Sequence, residues 1–309
     1  MTKAVVIGGR GKVGGYLVPM LVENGYDVIC VSRGVTEPFV KNDCWNKVTQ
    51  VILDRDSSDF EARIAALDAD VIVDMICFKN EDMLNLIDVI KGSVKHYLVC
   101  GSIWLHGQSG STPVREDECI EPMEEYGIQK NLLDKTITRL YKESDFPGTC
   151  IHPGQIVCPG DVPINPEGFR SLSTFKQLKA GEPVYLPNFG METMHHVHAY
   201  DVAGVFMAAI KTGSPSFGQG FHAVSARAQT LVGYAKEVAS WYGKKADIHL
   251  IPFDTWKTRY SESDVAETYS HIIHSPNCSP LKTKEILGYE ARYTAYEALK
   301  ECIQSLGEL

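Results

Sequence analysis

The chain has no basic tract. Of its 309 residues, 30 are Lys or Arg and 39 are Asp or Glu, giving a formal net charge of −9. A protein that grips a phosphate backbone needs a basic face, so nucleic acid is not an expected partner. Long apolar runs are missing too. The most apolar stretches, residues 71–78 and 201–210, are short and carry Asp74 and Asp201, which argues against a membrane span. The opening "MTKAVVIGG" enters a strand directly, without a charged-then-apolar leader, so a cytoplasmic location is expected. There is no C-x-x-C pair among the nine cysteines, several of which (Cys30, Cys77, Cys100, Cys150) sit in apolar strand-like segments. That favours buried thiols in a reducing compartment over a disulfide framework. Internal repeats and low-complexity tracts are also lacking.

What is present is alternation. The segments "KAVVIG", "DVICVS", "VTQVILD", "DVIVDMIC", "KHYLVCGS" and "GTCIHPG" read as strands, separated by helix-like stretches at "GKVGGYLVPMLVENG", "DFEARIAALD", "NEDMLNLIDVIKG" and residues 121–143. Near-continuous apolar strands joined through helices imply a parallel sheet covered on both faces. The expected fold class is therefore α/β, a doubly wound parallel (Rossmann) sheet with a smaller, mostly C-terminal substrate domain. The nucleotide-binding domain is expected over residues 1–160 and roughly 196–225, and the substrate domain over 161–195 and 226–309. Past Pro153 the Pro- and Gly-rich "CPGDVPINPEG" and "AGEPVYLPNFGMET" have the texture of binding loops.

Between the first strand and helix lies "GGRGKVGG", with Gly8, Gly11 and Gly14 at three-residue spacing. In this position glycines admit a close backbone approach, and the helix start offers free amides and a positive dipole end to a pyrophosphate. The strand that normally ends in a ribose-binding carboxylate ends here in Ser32-Arg33. An arginine cannot accept from ribose hydroxyls but can pair with a 2′-phosphate, and Arg10 is within the same loop, so NADP is preferred to NAD. Asp54 ends the third strand, where it is placed either to meet adenine or to cap the following helix.

The helix-like stretch 121–143 places Tyr126 and Lys130 one turn apart on the same side. Spacing alone is uninformative, because Tyr296 and Lys300 repeat it. The surrounding residues add more. Ser102 closes the fifth strand, at the sheet edge where open α/β folds bind ligands.

This combination resembles the short-chain dehydrogenase/reductase superfamily, in its extended branch, the NAD-dependent epimerase/dehydratase family. The resemblance spans nearly the whole chain: the glycine triplet, Ser102 ahead of Gly107, Tyr126 with Lys130, "IHPGQIVCPG", "HHVHAYDVAG" and the closing "LKTKEILGYEARYTAYEAL". It implies that Tyr126 is the acid/base at a substrate hydroxyl or carbonyl oxygen. A free tyrosine, with pKa near 10, is a poor base, and a neighbouring ammonium favours its phenolate. Ser102 would orient the same oxygen, and Lys130 would also hold the nicotinamide ribose. The cofactor site would comprise Gly8, Arg10, Gly11, Lys12, Val13, Gly14, Arg33, Asp54, Ile76, Cys77, Tyr126, Lys130 and Pro153. Trp104, His106, Gln155 and His196 are candidates for substrate contact. A homodimer is also implied.

Departures from the family pattern concern the substrate. Ser102-Ile103-Trp104 replaces the Thr-Asp-Glu of dehydratases, so a 4,6-dehydratase is not expected. Met194 stands where nucleotide-sugar epimerases carry a diphosphate-binding arginine, Gln155 replaces an asparagine and His152 an arginine. A nucleotide sugar is thus not favoured, and a smaller polyol, sugar or ketone fits as well. His195, His196 and His198 lack a completing carboxylate or cysteine, and no metal is expected. The function implied is hydride transfer at a secondary alcohol or ketone carbon of a small molecule, in the first place a carbohydrate. The alternatives are an NADPH-dependent reductase of a small non-sugar carbonyl and a non-catalytic nucleotide-binding or RNA-associated relative.

Overall fold

A computed structural model describes residues 1–118 and 120–307; Cys119 and the last two residues of the expected substrate domain, Glu308 and Leu309, lie outside the described residues. The chain builds β1 (Lys3–Ile7), α1 (Gly14–Glu23), β2 (Asp27–Ser32), β3 (Thr49–Ile52), α2 (Phe60–Ala65), β4 (Val71–Asp74), α3 (Asn80–Ile90), β5 (His96–Cys100), α4 (Glu125–Ser144) and β6 (Gly148–Pro153). A seventh strand, Gln219–Ala223, pairs in parallel with β6. The strand order across this sheet is β3-β2-β1-β4-β5-β6 and then Gln219–Ala223. All its pairings are parallel, the doubly wound arrangement expected from the alternation.

Two-residue periodicity divides the core between the two sheet faces. Ala4, Val6, Cys30, Val73, Leu98 and Phe221 pack with α1 and the helix Ala199–Thr212. Val5, Ile7, Ile72, Tyr97 and Val99 face the opposite way, against Phe60, Met83, Leu86, Leu133 and Ile137 of α2, α3 and α4. Burial on both faces explains why these strands read as continuous apolar runs. A third cluster joins Val157, Phe175, Leu186, Leu231, Tyr234 and Leu299 from the later segments. Asp201 ties these to the sheet: its buried carboxylate accepts from Tyr289 Oη (2.9 Å), Arg292 N (2.7 Å) and Tyr293 N (3.0 Å).

Two expectations about elements need revision. Helix α4 starts at Glu125, four residues later than its apolar spacing suggests, because Glu124 is extended (φ −131°). A 13-residue helix, Glu262–His274, falls in a stretch whose sequence did not announce it. The eight described cysteines are free thiols, and no helix among the described residues is long and apolar enough to cross a membrane.

Candidate active site

The strand order reverses between β1 and β4, opening the crevice where such sheets bind ligands. The glycine loop leaves β1 at this point. Gly8 is left-handed (φ +79°), and a Cβ there would lie 2.7 Å from Ile76 Cγ2. At Gly14 an added Cβ would meet the Gly9 backbone at 2.4–2.6 Å, so α1 can approach the loop this closely only without a side chain. Beside the loop runs a cavity of about 550 Å³ lined by Gly8, Arg10, Gly11, Arg33, Asp54 and Ile76 among others. Its glycines and the adjoining helix start fit a dinucleotide.

Within this groove Arg33 is exposed. Arg10 also lines it, donating through Nη1 to Thr36 O (2.7 Å) and through Nε to Gln50 (3.2 Å). Asp54 accepts from Asp56 N (3.1 Å), making a local turn. Arg55, which sequence reasoning passed over, chelates the fully buried Asp74 through Nη1 at 2.8 and 2.7 Å. That pair fastens the end of β3 to the end of β4. Val13 belongs to the apolar core rather than to the groove.

On the other side of the loop is a second cavity, of about 630 Å³, whose lining includes Lys12, Ser102, Trp104, Tyr126, Pro153 and Gln155. Ser102 stands at the end of β5, where its Oγ accepts from Trp104 N (3.1 Å) and caps the short 3₁₀ turn Ile103–Leu105. With that lone pair occupied, its proton remains available to a ligand. Tyr126, in the first turn of α4, is 41 % exposed. Lys130, one turn further, is 2 % exposed and donates to Cys77 O (2.7 Å) and Cys100 O (2.8 Å). Its Nζ is 5.6 Å from the centre of the Tyr126 ring and 4.9 Å from that of Phe78. Cys77 thus contributes its carbonyl, while its thiol is pushed up to about 12 by burial and by Asp74.

The remaining substrate candidates separate. Trp104 stacks flat on His274 (4.2 Å, 6°) and meets His271 and Tyr126 edge-on. Gln155 lines the cavity, its Oε1 fixed by His195 N at 2.7 Å. His106 lies away from that cavity, 3.0 Å from His222 across their Nε2 atoms. His222 Nδ1 donates to Ser279 O (3.0 Å), so the proton between the rings belongs to His106. His196 is buried against Gln229, its pKa lowered to about 3 by burial.

His195 and His198 are also spoken for. His195 Nδ1 accepts from Cys278 N (3.1 Å), and His198 Nδ1 caps the following helix through Tyr200 N (2.9 Å). The ligand types that do converge among the described residues are Asp134, Cys150 and His152. They form a hydrogen-bonded brace, His152 Nε2 donating to Asp134 at 2.9 Å. The His152 ring fills the space that a Cβ on Gly101, next to Ser102, would occupy.

Sequence reasoning missed the contribution of the helix Glu262–His274, which brings Ala266, Glu267, Ser270 and His271 to the cavity wall. The available signal was its N-terminus, where Ser261 Oγ accepts from Asp264 N (3.2 Å), the S-x-x-D form of a capping sequence.

A doubly wound sheet with a glycine loop at its switch point, followed by Ser102, Tyr126 and Lys130 around one sheet edge, defines an extended short-chain dehydrogenase/reductase. Residues 4–218 match the NAD dependent epimerase/dehydratase family, and the chain belongs to that family. Among curated relatives, the 2'-dehydrokanamycin reductase of Streptomyces kanamyceticus is 25 % identical over 224 residues, 72 % of this chain. The chain spans 62 % of that relative's length. The chloroplast stem-loop binding protein of 41 kDa b of Arabidopsis thaliana is 24 % identical, covering 97 % of this chain and 78 % of its own. Among solved structures, the UDP-glucose 4-epimerase of Thermotoga maritima, determined with UDP-glucose, superposes with a TM-score of 0.74 at 18 % identity over 99 % of both chains. That likeness establishes the fold.

Proposed function

We propose that this chain is an NADP(H)-dependent oxidoreductase or epimerase acting at a secondary alcohol or ketone carbon of a carbohydrate, with Ser102, Tyr126 and Lys130 as its catalytic residues. The observation that carries the reading is the shared cavity. Ser102 and Tyr126 line it together with Lys12 of the glycine loop, and Lys130 lies under the Tyr126 ring, anchored to the ends of β4 and β5.

When bound, the nicotinamide gives or takes the hydride. The protein supplies placement and proton transfer. Tyr126 Oη exchanges a proton with the substrate oxygen, Ser102 donates to the same oxygen and fixes its orientation, and the charge on Lys130 stabilises negative charge developing on the phenol. Arg33 supports NADP over NAD, since it lines the groove and, among the described residues, meets no carboxylate within ion-pairing distance. Exposed Val89, Ile128 and Leu132 on α3 and α4 support a homodimer across those helices.

The family resemblance to a stem-loop binding protein raises a non-catalytic reading, against which the net charge of −9 weighs. The decisive experiment is Tyr126→Phe assayed beside the wild type for consumption of reduced nicotinamide and for epimerisation of trial sugars. Turnover should fall by ~10²–10⁴-fold while NADPH affinity is retained; unchanged turnover sinks the assignment.

A further inference from the structure

The wall opposite the catalytic residues has a polarity of its own. Two cations line the larger cavity, Lys12 and Arg170, and each already holds a carboxylate. Lys12 is paired with Asp161. Arg170 donates from Nη1 to Glu267 Oε1 (2.7 Å) and from its backbone N to Oε2 (3.0 Å), so both oxygens of Glu267 are fixed in place. Both cations keep unused N–H groups, but their charges are matched by Asp161 and Glu267. A phosphate here thus gains less net attraction than from unpaired cations and lies beside a carboxylate, a repulsive element against anions. An uncharged ligand meets no such opposition.

The same helix supplies the complementary group. His271, 5 % exposed and lining the cavity, has Nδ1 2.8 Å from Glu267 O. A carbonyl only accepts, so Nδ1 carries the proton and Nε2 is left with the lone pair. Burial lowers the His271 pKa, with Glu267 O and the Glu267 carboxylate opposing the shift and Arg170 and His274 adding to it. The ring is therefore a neutral acceptor, held edge-on against Trp104 at 5.2 Å. Elsewhere in the lining, Gln155 has its Oε1 occupied by His195 N and one amide N–H directed at Met194 Sδ (4.0 Å), which leaves the second N–H as a donor. Ser102, too, has its proton free. Donors and an acceptor spaced around an aromatic ring, with cancelled charge, match a chain of hydroxyl groups.

We propose that the cavity selects an uncharged, hydroxyl-rich substrate that carries no phosphate, such as a free sugar or polyol, and that His271 is its specificity-determining residue, accepting a substrate hydroxyl through Nε2. The inference deepens the functional reading above and rests on it. Its test reads binding rather than turnover, so the two can fail separately: absent nicotinamide turnover with a bound sugar indicts the first, and the wrong ligand class indicts the second.

The experiment uses the full chain loaded with NADP. Thermal shift and calorimetry compare free hexoses, hexitols and disaccharides with UDP, UDP-glucose and glucose 6-phosphate. At least one uncharged member is expected to bind and the phosphorylated set is not. His271→Phe should weaken that binding about tenfold, the loss of one well-placed hydrogen bond, whereas His271→Gln, which retains an acceptor, should stay within about threefold. Should the phenylalanine variant fail to fold, ¹⁵N NMR of the wild type reports the tautomer directly, and the Nδ1–H form is expected. Binding by UDP or UDP-glucose, no binding by any uncharged member, wild-type affinity in the phenylalanine variant, or an Nε2–H tautomer would each overturn the proposal.

Discussion

Tyr126 and Lys130 lie one helical turn apart, yet the tyrosine is 41 % exposed and the lysine 2 %. The face of α4 that carries them passes from the cavity to the interior of the sheet within that turn. Two main-chain carbonyls, Cys77 O and Cys100 O, take the place of water around the buried Nζ. The lysine is thus a structural joint between β4, β5 and α4 as well as a source of charge near the phenol.

That double role predicts a compound phenotype for Lys130→Met. Removing the ammonium orphans two carbonyls, and at ~1–3 kcal/mol for each buried unsatisfied group the variant should lose about 2 kcal/mol or more of stability. Turnover should fall as well. Urea denaturation paired with kcat separates the two effects: a variant with wild-type stability would show that the carbonyl contacts are energetically idle.

At the glycine loop the expectation is steric. An alanine at Gly14 would press its Cβ into the Gly9 backbone at 2.4–2.6 Å, and backbone cannot rotate aside as a side chain can. Gly14→Ala should cost about 1–3 kcal/mol and weaken NADPH binding by shifting α1 away from the loop. Fluorescence titration of bound NADPH measures this, and unchanged affinity would show that the loop does not hold the pyrophosphate.

The glycine loop and the cavity wall at Glu262–His274 differ in how far the sequence exposes them. The strand that leads into the glycine loop announces itself because both of its faces are buried, leaving Ala4, Val5, Val6 and Ile7 as an unbroken apolar run. The cavity wall at Glu262–His274 is hidden for the opposite reason. Val265, Tyr269 and Ile272 recur at helical spacing, but Tyr269 is 51 % exposed. The buried face is Thr268, His271, Ile272 and His274, three polar residues and one apolar, so the apolar period does not mark the face that meets the cavity. Likewise nothing local separates His106, locked to His222 116 positions away, from Trp104 two residues before it, which lines the cavity. Contacts between distant segments decide such cases, and a linear reading does not contain them.

Cofactor preference is testable at one residue. If Arg33 pairs with a 2′-phosphate, Arg33→Ser removes a charge-assisted contact of ~1.5–3 kcal/mol. The ratio of kcat/KM for NADPH over NADH should then fall by about 10- to 150-fold, chiefly through KM for NADPH. A ratio that does not move would transfer the preference to another residue or show that none exists.

The buried histidines set the response to acid. Burial lowers His106 and His195 to about 4 and His96 and His196 to about 3, from an ordinary value of 6.5. Below pH 6.5 the unfolded chain takes up protons at these rings while the native state does not, so ν_U exceeds ν_N and stability rises with pH. Their contribution is complete above about pH 6.5 and is lost as the pH falls towards 4, with a slope approaching about 1.4 kcal/mol per pH unit for each ring that stays neutral only in the native state. The urea midpoint should therefore drop steeply between pH 6.5 and 4.5, before most carboxylates titrate. Replacing His196 with Gln, which shares hydrogen-bonding ability but binds no proton, should flatten the curve by one ring's share, and an unaltered slope in that variant would show that His196 is protonated in the native protein.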